Sequence, residues 1–376
     1  MHTFQTVSDI RIDPQGAAKL DVYVEGLCPN KRIAIITDKG IRGLGLMDAG
    51  LAALEEAGYT LMIFDDVVAD PPEEIVLKGA EAVREFDAGL VIGFGGGSPM
   101  DTAKVIAVLV GSGQDLQSMY GVGLAKGPRL PLMLIPTTAG TGSEVTNVAI
   151  ITTGKTSKMA VVADPLYADR VLLDASLTFG LPKSITAATG IDAMVHAVEA
   201  YTSIHKKNPI SDTLALSAMR KLRGAIVKAC TDGNDVDARN DMLIGAMLAG
   251  QAFSNAPVAA VHGLAYPLGG FFHVPHGLSN ALVLTEVMKY NLLKADDWYG
   301  EIAGDLGVGR TGAALVDEMQ RIKDETDVPQ TLTSVSIPAD AIPMMAEDAM
   351  AKDRVLMNNP REMTYDAVVK IYETIL

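Results

Sequence analysis

Six histidines occur in the chain: His2, His196, His205, His262, His273 and His276. His262, His273 and His276 fall within fifteen residues. His196 follows Asp192 by four residues in a stretch of helical periodicity, so carboxylate and imidazole share one helix face. A carboxylate and an imidazole one turn apart make half of a divalent-metal site, and two of the clustered histidines are available to complete it. One Asp and three His, with no thiolate, suit Fe(II) or Zn(II) and leave a position open for substrate. His2 and His205 have no such neighbours and read as solvent-exposed. Any one of these imidazoles alone reads more simply as a packed or surface side chain; the constellation is what points to a metal.

Two glycine-rich loops point to a second ligand. In the first, Gly95, Gly96, Gly97 and Ser98 follow a strand and lead into a helix. Consecutive glycines let the backbone approach a ligand and expose amide groups, and the helix start behind them favours an anion. The spacing is neither the usual dinucleotide fingerprint nor a P-loop, and a tight strand-to-helix turn would use the same residues. The second loop, Pro136 to Thr146, carries four threonines and a serine in eleven residues. Its hydroxyls suit the ribose and phosphates of a nucleotide, or they satisfy the loop's own backbone. Asp38, at the end of the first clear strand, is placed to accept from an adenosine ribose and to repel a 2′-phosphate, which favours NAD over NADP. An Asp capping a turn would look the same.

The elements that must position these groups follow an alternating rhythm. Strands are expected at Arg32–Thr37, Thr60–Phe64, Ala88–Gly93 and Leu132–Ile135, with helices at Met47–Ala57, from Pro71 and from Met100 onward. Such alternation implies a parallel sheet covered by helices, with ligands at the carboxyl ends of the strands. From about Pro182 the texture becomes Ala- and Met-rich with helical periodicity and few β-branched runs. The expected division is an α/β nucleotide-binding domain at 1–180 and an all-helical domain at 181–376.

Bulk properties set the remaining bounds. With 376 residues, 48% hydrophobic and 20% charged, the chain is long enough for two ordinary cores and shows no signature of disorder. A net charge of -15 disfavours nucleic acid and anionic membrane surfaces as partners. The two cysteines, Cys28 and Cys230, make neither a thiolate cluster nor a disulfide framework and fit a reducing compartment. No secretory leader or membrane span is read from the sequence, so the cytoplasm is the expected location.

Four segments taken together resemble the iron-containing (group III) alcohol dehydrogenases: Gly95 to Lys104, Pro136 to Thr146, Gly190 to His196, and Pro275 to Gly277. The order and spacing match that family over essentially the whole chain. The resemblance implies a Rossmann-like N-terminal NAD-binding domain, a C-terminal helical domain, and a metal in the cleft between them. Carried over position by position, it implies Asp192, His196, His262 and His276 as metal ligands. It implies Asp38, Gly95, Gly96, Gly97, Ser98, Thr137, Thr138, Thr141, Thr146 and Lys158 around the dinucleotide. It further implies a cytoplasmic homodimer or larger homo-oligomer. The reaction would move hydride between a small alcohol or aldehyde and NAD, with Fe(II), or alternatively Zn(II), as the ion. One position departs from the pattern: many members have a histidine four residues after the third ligand, and here it is Tyr266. Tyr266 and His273 are therefore the two candidates for proton transfer.

Four other readings compete, one of them a non-catalytic binding protein that keeps the fold, against which the intact ligand positions argue. A short hydroxy acid such as 4-hydroxybutyrate is an alternative substrate, whose mark would be a buried arginine. A lyase of the dehydroquinate synthase type shares the two-domain plan but needs more basic residues than these motifs hold. A glycerol-type dehydrogenase would use three protein ligands, against which His196 beside Asp192 argues. The apolar neighbours Phe253, Leu264, Phe271 and Phe272 suggest a small aliphatic pocket or part of the core.

Overall fold

The computed structural model describes residues 3–154 and 157–376, so His2 lies outside the described residues. Contacts divide the chain into two compact units. One is Thr6–Thr138 with Gly142–Phe179; the other is chiefly Gly180–Leu376, with the short segment Ala139–Thr141.

The first unit is α/β. Its strands are β1 (Ile10–Ile12), β2 (Arg32–Ile36), β3 (Thr60–Phe64), β4 (Leu90–Gly95), β5 (Gly121–Val122), β6 (Leu132–Pro136), β7 (Val148–Thr153), β8 (Ser157–Val162) and β9 (Arg170–Leu173). Six of them form a parallel sheet in the order β1-β9-β6-β4-β2-β3. β4 and β6 are buried along their whole length, so they read as continuous apolar runs without alternation. The helices α1 (Asp48–Glu56), α2 (Glu73–Glu85) and α3 (Gly97–Ser112) lie in the crossovers. Ile33, Ile35, Ile92, Phe94 and Met133 are among the side chains of the core.

The topology places the loops. From β2 the chain steps outward to β3, then returns to β4 on the other side of β2. The switch point therefore lies between β2 and β4, which pair with Ile36 opposite Gly93. In sheets of this kind ligands bind beyond the carboxyl ends of the strands at that point. β2 runs into Asp38 there, and β4 runs into the three glycines.

Two features differ from the sequence reading. Helix α3 begins at Gly97 and not at Met100, because Gly96 is extended and the cluster itself supplies the first turn. The antiparallel pair β7–β8, with β5 beside β8, was not expected, nor were the short outer strand β1 and its partner β9.

The second unit contains α4 (Lys183–Thr202), α5 (Pro209–Thr231), α6 (Val236–Asn255), α7 (Ala260–Phe272), α8 (His276–Asp305), α9 (Gly312–Glu325), α10 (Ile342–Met350) and α11 (Tyr365–Thr374), and no strand among its described residues. Local signals start these helices: Asn208 accepts from the Ser211 N–H ahead of Pro209, and Asp235 accepts from Ala238. α4 is a core helix, with every residue from Gly190 to Thr202 buried. Its polar side chains Asp192, His196 and Glu199 must therefore find partners inside the protein. Among the described residues no single helix is long and apolar enough to cross a membrane.

Candidate active site

Asp192, His196 and Glu199 stand at i, i+4 and i+7 on α4, one stripe on one face. α7 brings His262 to that stripe from its first turn, and α8 brings His276 as its first residue. Gly277 lets α8 begin hard against α4: a Cβ there would lie 2.4 Å from the Ala188 carbonyl oxygen and 3.3 Å from Asp192 Cβ.

The result is a convergence of four donor atoms, all within 4.8 Å of one another, from Asp192, His196, His262 and His276. Asp192 Oδ1 is 4.0 Å from His196 Nε2, 4.0 Å from His262 Nε2 and 3.7 Å from His276 Nε2. The Nε2 atoms of His196 and His262 are 3.1 Å apart. Tetrahedral ligation at ordinary metal–nitrogen lengths needs donor–donor edges of about 3.4 Å. The donor set and its spacing fit a divalent cation.

The surroundings keep the donors in the right chemical form. Burial pushes the His196 pKa down to about 3, so its imidazole is neutral at physiological pH. Burial opposes the charge of Asp192, but the three imidazoles and the Asn280 amide outweigh it and hold the carboxyl below its ordinary range. Asn280 Nδ2 donates to Asp192 Oδ1 at 2.6 Å. Glu199 Oε2 lies 2.7 Å from His262 Nδ1. Asp192, His196 and His262 are buried, and only His276 is part-exposed, which marks the open side of the cluster.

Other expected residues divide. Phe253 stacks on His196 with centroids 4.3 Å apart, and the Tyr266 ring lies 6.3 Å from that of His276. Burial pushes the Tyr266 hydroxyl above the ordinary tyrosine range, the opposite direction from what proton transfer at neutral pH requires. His273 closes α7 in a left-handed conformation, φ 56°, and is exposed outside the quartet. Leu264 is core, Phe271 is exposed, Phe272 is half-buried, and His205 is exposed.

In the α/β unit, Gly95 ends β4 at φ +150°, where a side chain is strained, and an added Cβ would lie 2.7 Å from Pro99 Cγ. Gly96 caps α3 and Gly97 and Ser98 form its first turn, so their amides face outward from a helix start. A Cβ on Gly96 would lie 3.5 Å from Thr138 Oγ1, so the two loops face each other. Thr137 is fully buried, and its hydroxyl has no partner among the described residues. Asp38 accepts from the Ile41 N–H at 2.9 Å and caps a short helix, Lys39–Gly43. A part-exposed helix start and an unpaired hydroxyl on the facing loop fit a nucleotide's phosphates. Thr141 belongs to the segment grouped with the helical unit. Thr146 and Lys158 have contacts of their own. The Thr146 hydroxyl accepts from Lys104 Nζ at 3.1 Å, and Lys158 pairs with Asp70 at 2.6 Å.

Comparison with known proteins decides the family. A family model described as iron-containing alcohol dehydrogenase matches residues 8–175, and one described as Fe-containing alcohol dehydrogenase family, C-terminal, matches residues 186–376. The chain belongs to the iron-containing alcohol dehydrogenase family. It is 40% identical to long-chain-alcohol dehydrogenase 1 of Geobacillus thermodenitrificans, over 91% of this chain and 89% of that protein. The solved structure of a 1,3-propanediol oxidoreductase superposes with a TM-score of 0.95 at 32% identity, covering 100% of both chains. A sulfoacetaldehyde reductase from Bifidobacterium kashiwanohense, solved in complex with NAD+, superposes at 0.88 with 27% identity, covering 100% of this chain and 99% of that one. As a member of this family the chain is an NAD-dependent oxidoreductase acting between alcohols and aldehydes, and the family implies a metal as well as NAD.

The sequence reading missed three residues of this alcohol dehydrogenase. Glu199 lies seven residues after Asp192 and Asn280 four after His276, so the same helical spacing would have placed both on the cluster's face. Lys104, a lone cation in the apolar run of α3, is fully buried. It donates to Ser143 Oγ at 2.8 Å and to the Val148 carbonyl at 2.8 Å, as well as to Thr146. It thereby pins the second glycine-rich loop.

Proposed function

We propose that this enzyme oxidises small primary alcohols, and reduces the corresponding aldehydes, with Fe(II) or alternatively Zn(II) held by Asp192, His196, His262 and His276. The convergence of those four donors carries the reading. Lewis-acid polarisation of the alcohol or carbonyl oxygen is the chemistry such a cation supplies, and accepting or giving hydride is that of NAD.

The chain's own residues do the rest. Asp192 offers a buried negative charge, and the imidazoles offer nitrogen lone pairs. Phe253 covers the His196 side against water, and the part-exposed His276 side admits substrate. Residues 1–180 act as the NAD-binding domain, with Asp38 toward the ribose and Gly95, Gly96, Gly97, Ser98, Thr137 and Thr138 toward the phosphates. Thr141, Thr146 and Lys158 are assigned to the same ligand on the motif resemblance. Residues 181–376 act as the metal-binding domain. Tyr266, with its raised pKa, shapes the pocket, and the exposed His273 is assigned the passage of the proton to water. The family resemblance supports a cytoplasmic homodimer, and the net charge of -15 argues against nucleic acid as a partner.

The test is NADH absorbance with purified protein, Fe(II) or Zn(II), NAD and a panel of short alcohols, diols and hydroxy acids, repeated after chelation. Turnover of one substrate class that stops on chelation and returns with metal is the expected result. A protein that holds metal and NAD yet turns over nothing in the panel would defeat the proposed substrate class.

A further inference from the structure

The buried carboxylate of Glu199 is attached to no metal-ligand role by any motif, yet it meets three donors. Helix α7 is capped by Ala259, which offers no side-chain hydrogen bond of its own. Glu199, reaching over from α4, takes that place: Oε2 accepts from the Ala259 N–H at 2.9 Å, and Oε1 accepts from the Val261 N–H at 2.7 Å. The third donor is His262 Nδ1, 2.7 Å from Oε2. With both oxygens already taking backbone N–H groups, the carboxylate acts as an acceptor toward the ring, so the imidazole proton sits on Nδ1. The other nitrogen, Nε2, is then a lone pair, and it faces Asp192 and His196.

We propose that Glu199 is a positioning residue for the metal centre, which fixes the tautomer and ring orientation of His262 through the same carboxylate that caps α7. A carboxylate behind a metal-bound imidazole holds the ring in place and raises its basicity, and its loss commonly weakens metal binding 10- to 100-fold. Here the anchor is stiffer than a side chain alone. The two backbone bonds hold the carboxylate, and α4 carries Asp192 and His196 on the same stripe. The ring of His262 is thus registered to two of its fellow donors through one helix.

The inference rests on the reading that the quartet binds a divalent cation, and the experiment separates the two. Full-length protein stripped of metal is titrated with Co(II) against a chromophoric chelator, following the ligand-field band as well as the affinity. The wild type should take one Co(II) per chain, and His276→Ala should lose most of that affinity. A wild type that takes no stoichiometric Co(II) overturns the metal reading and this inference with it. Given wild-type binding, Glu199→Gln should bind Co(II) about 10- to 100-fold more weakly, with a shifted band, because an amide nitrogen must face at least one N–H donor. Glu199→Asp, which keeps the charge one methylene short, should recover part of the loss. It also carries the comparison if the Gln variant does not fold. A variant whose metal-free melting temperature falls while Co(II) affinity and band stay as in the wild type assigns Glu199 a purely structural role and overturns the proposal.

Discussion

Replacing Lys104 by methionine removes a cation from one of the driest places in the α/β unit while keeping most of the stem that fills the space. The ammonium gives three hydrogen bonds, to Ser143 Oγ, Thr146 Oγ1 and the Val148 carbonyl, and lies 3.6 Å from Asp101 Oδ1. Without it, Asp101 keeps only the Ser143 hydroxyl and the Ile150 N–H, and the Val148 carbonyl loses this donor. Orphaning one member of a buried pair costs about 3–5 kcal/mol. Burial already pushes the Lys104 pKa down and the Asp101 pKa up, so desolvation offsets much of the attraction. The low end, about 3 kcal/mol, is therefore expected, which lowers the thermal midpoint of a unit of this size by roughly 6–12 °C. Circular dichroism melts of metal-free protein measure it. NAD titration should show weaker binding in parallel, since Ser143 and Thr146 are released. Adding Asp101→Asn removes the orphaned charge and should return more than half of the lost stability. A Lys104→Met protein melting within about 1 °C of the wild type, or a double variant costing the sum of the singles, would refute the account of this network.

Two further outcomes follow from the same unit. Burial pushes the Glu144 pKa up to about 7 from 4.5, so the folded protein holds this proton more tightly than the unfolded chain does. Its stabilising contribution is full below about pH 4.5 and declines as pH rises to about 7, by roughly 3 kcal/mol in all. Urea midpoints between about pH 5 and pH 8 should therefore fall more in the wild type than in Glu144→Gln, and parallel curves would contradict the assignment. Gly95→Ala should cost about 1–3 kcal/mol and weaken NAD binding, because φ +150° and the nearby Pro99 ring both reject a methyl group. Unchanged NAD affinity in a folded Gly95→Ala protein would show that the turn is structural only.

The central strands were legible because β2, β4 and β6 are short β-branched or apolar runs bounded by glycine, proline and aspartate. The peripheral ones were not. β1 has three residues and owes its existence to β9, some 160 residues later, and no local pattern encodes such a partner. In the helical unit Asp192 and His196 were readable from their spacing, but clustering left open which two of His262, His273 and His276 join them, and only the family resemblance pointed to His262 and His276. Glu199 and Asn280 escaped because a carboxylate or amide earns meaning only from the groups it faces. Lys104 escaped for a similar reason: on sequence it is one lysine in a helix, and only burial reveals what it holds. The short helix after Asp38 shows the reverse, with turn chemistry and ligand chemistry calling for the same side chain at the same place.

The absent side chain of Gly277 has a consequence for how stiffly the donor cluster is held. The main chain of α8 abuts that of α4 there, since a Cβ would lie 2.4 Å from the Ala188 carbonyl oxygen. Such a contact does not yield by rotamer change. A larger residue at 277 must move one helix against the other, and with them the backbones that carry His276 and Asp192. A residue that contributes no ligand thus constrains the spacing of two that do.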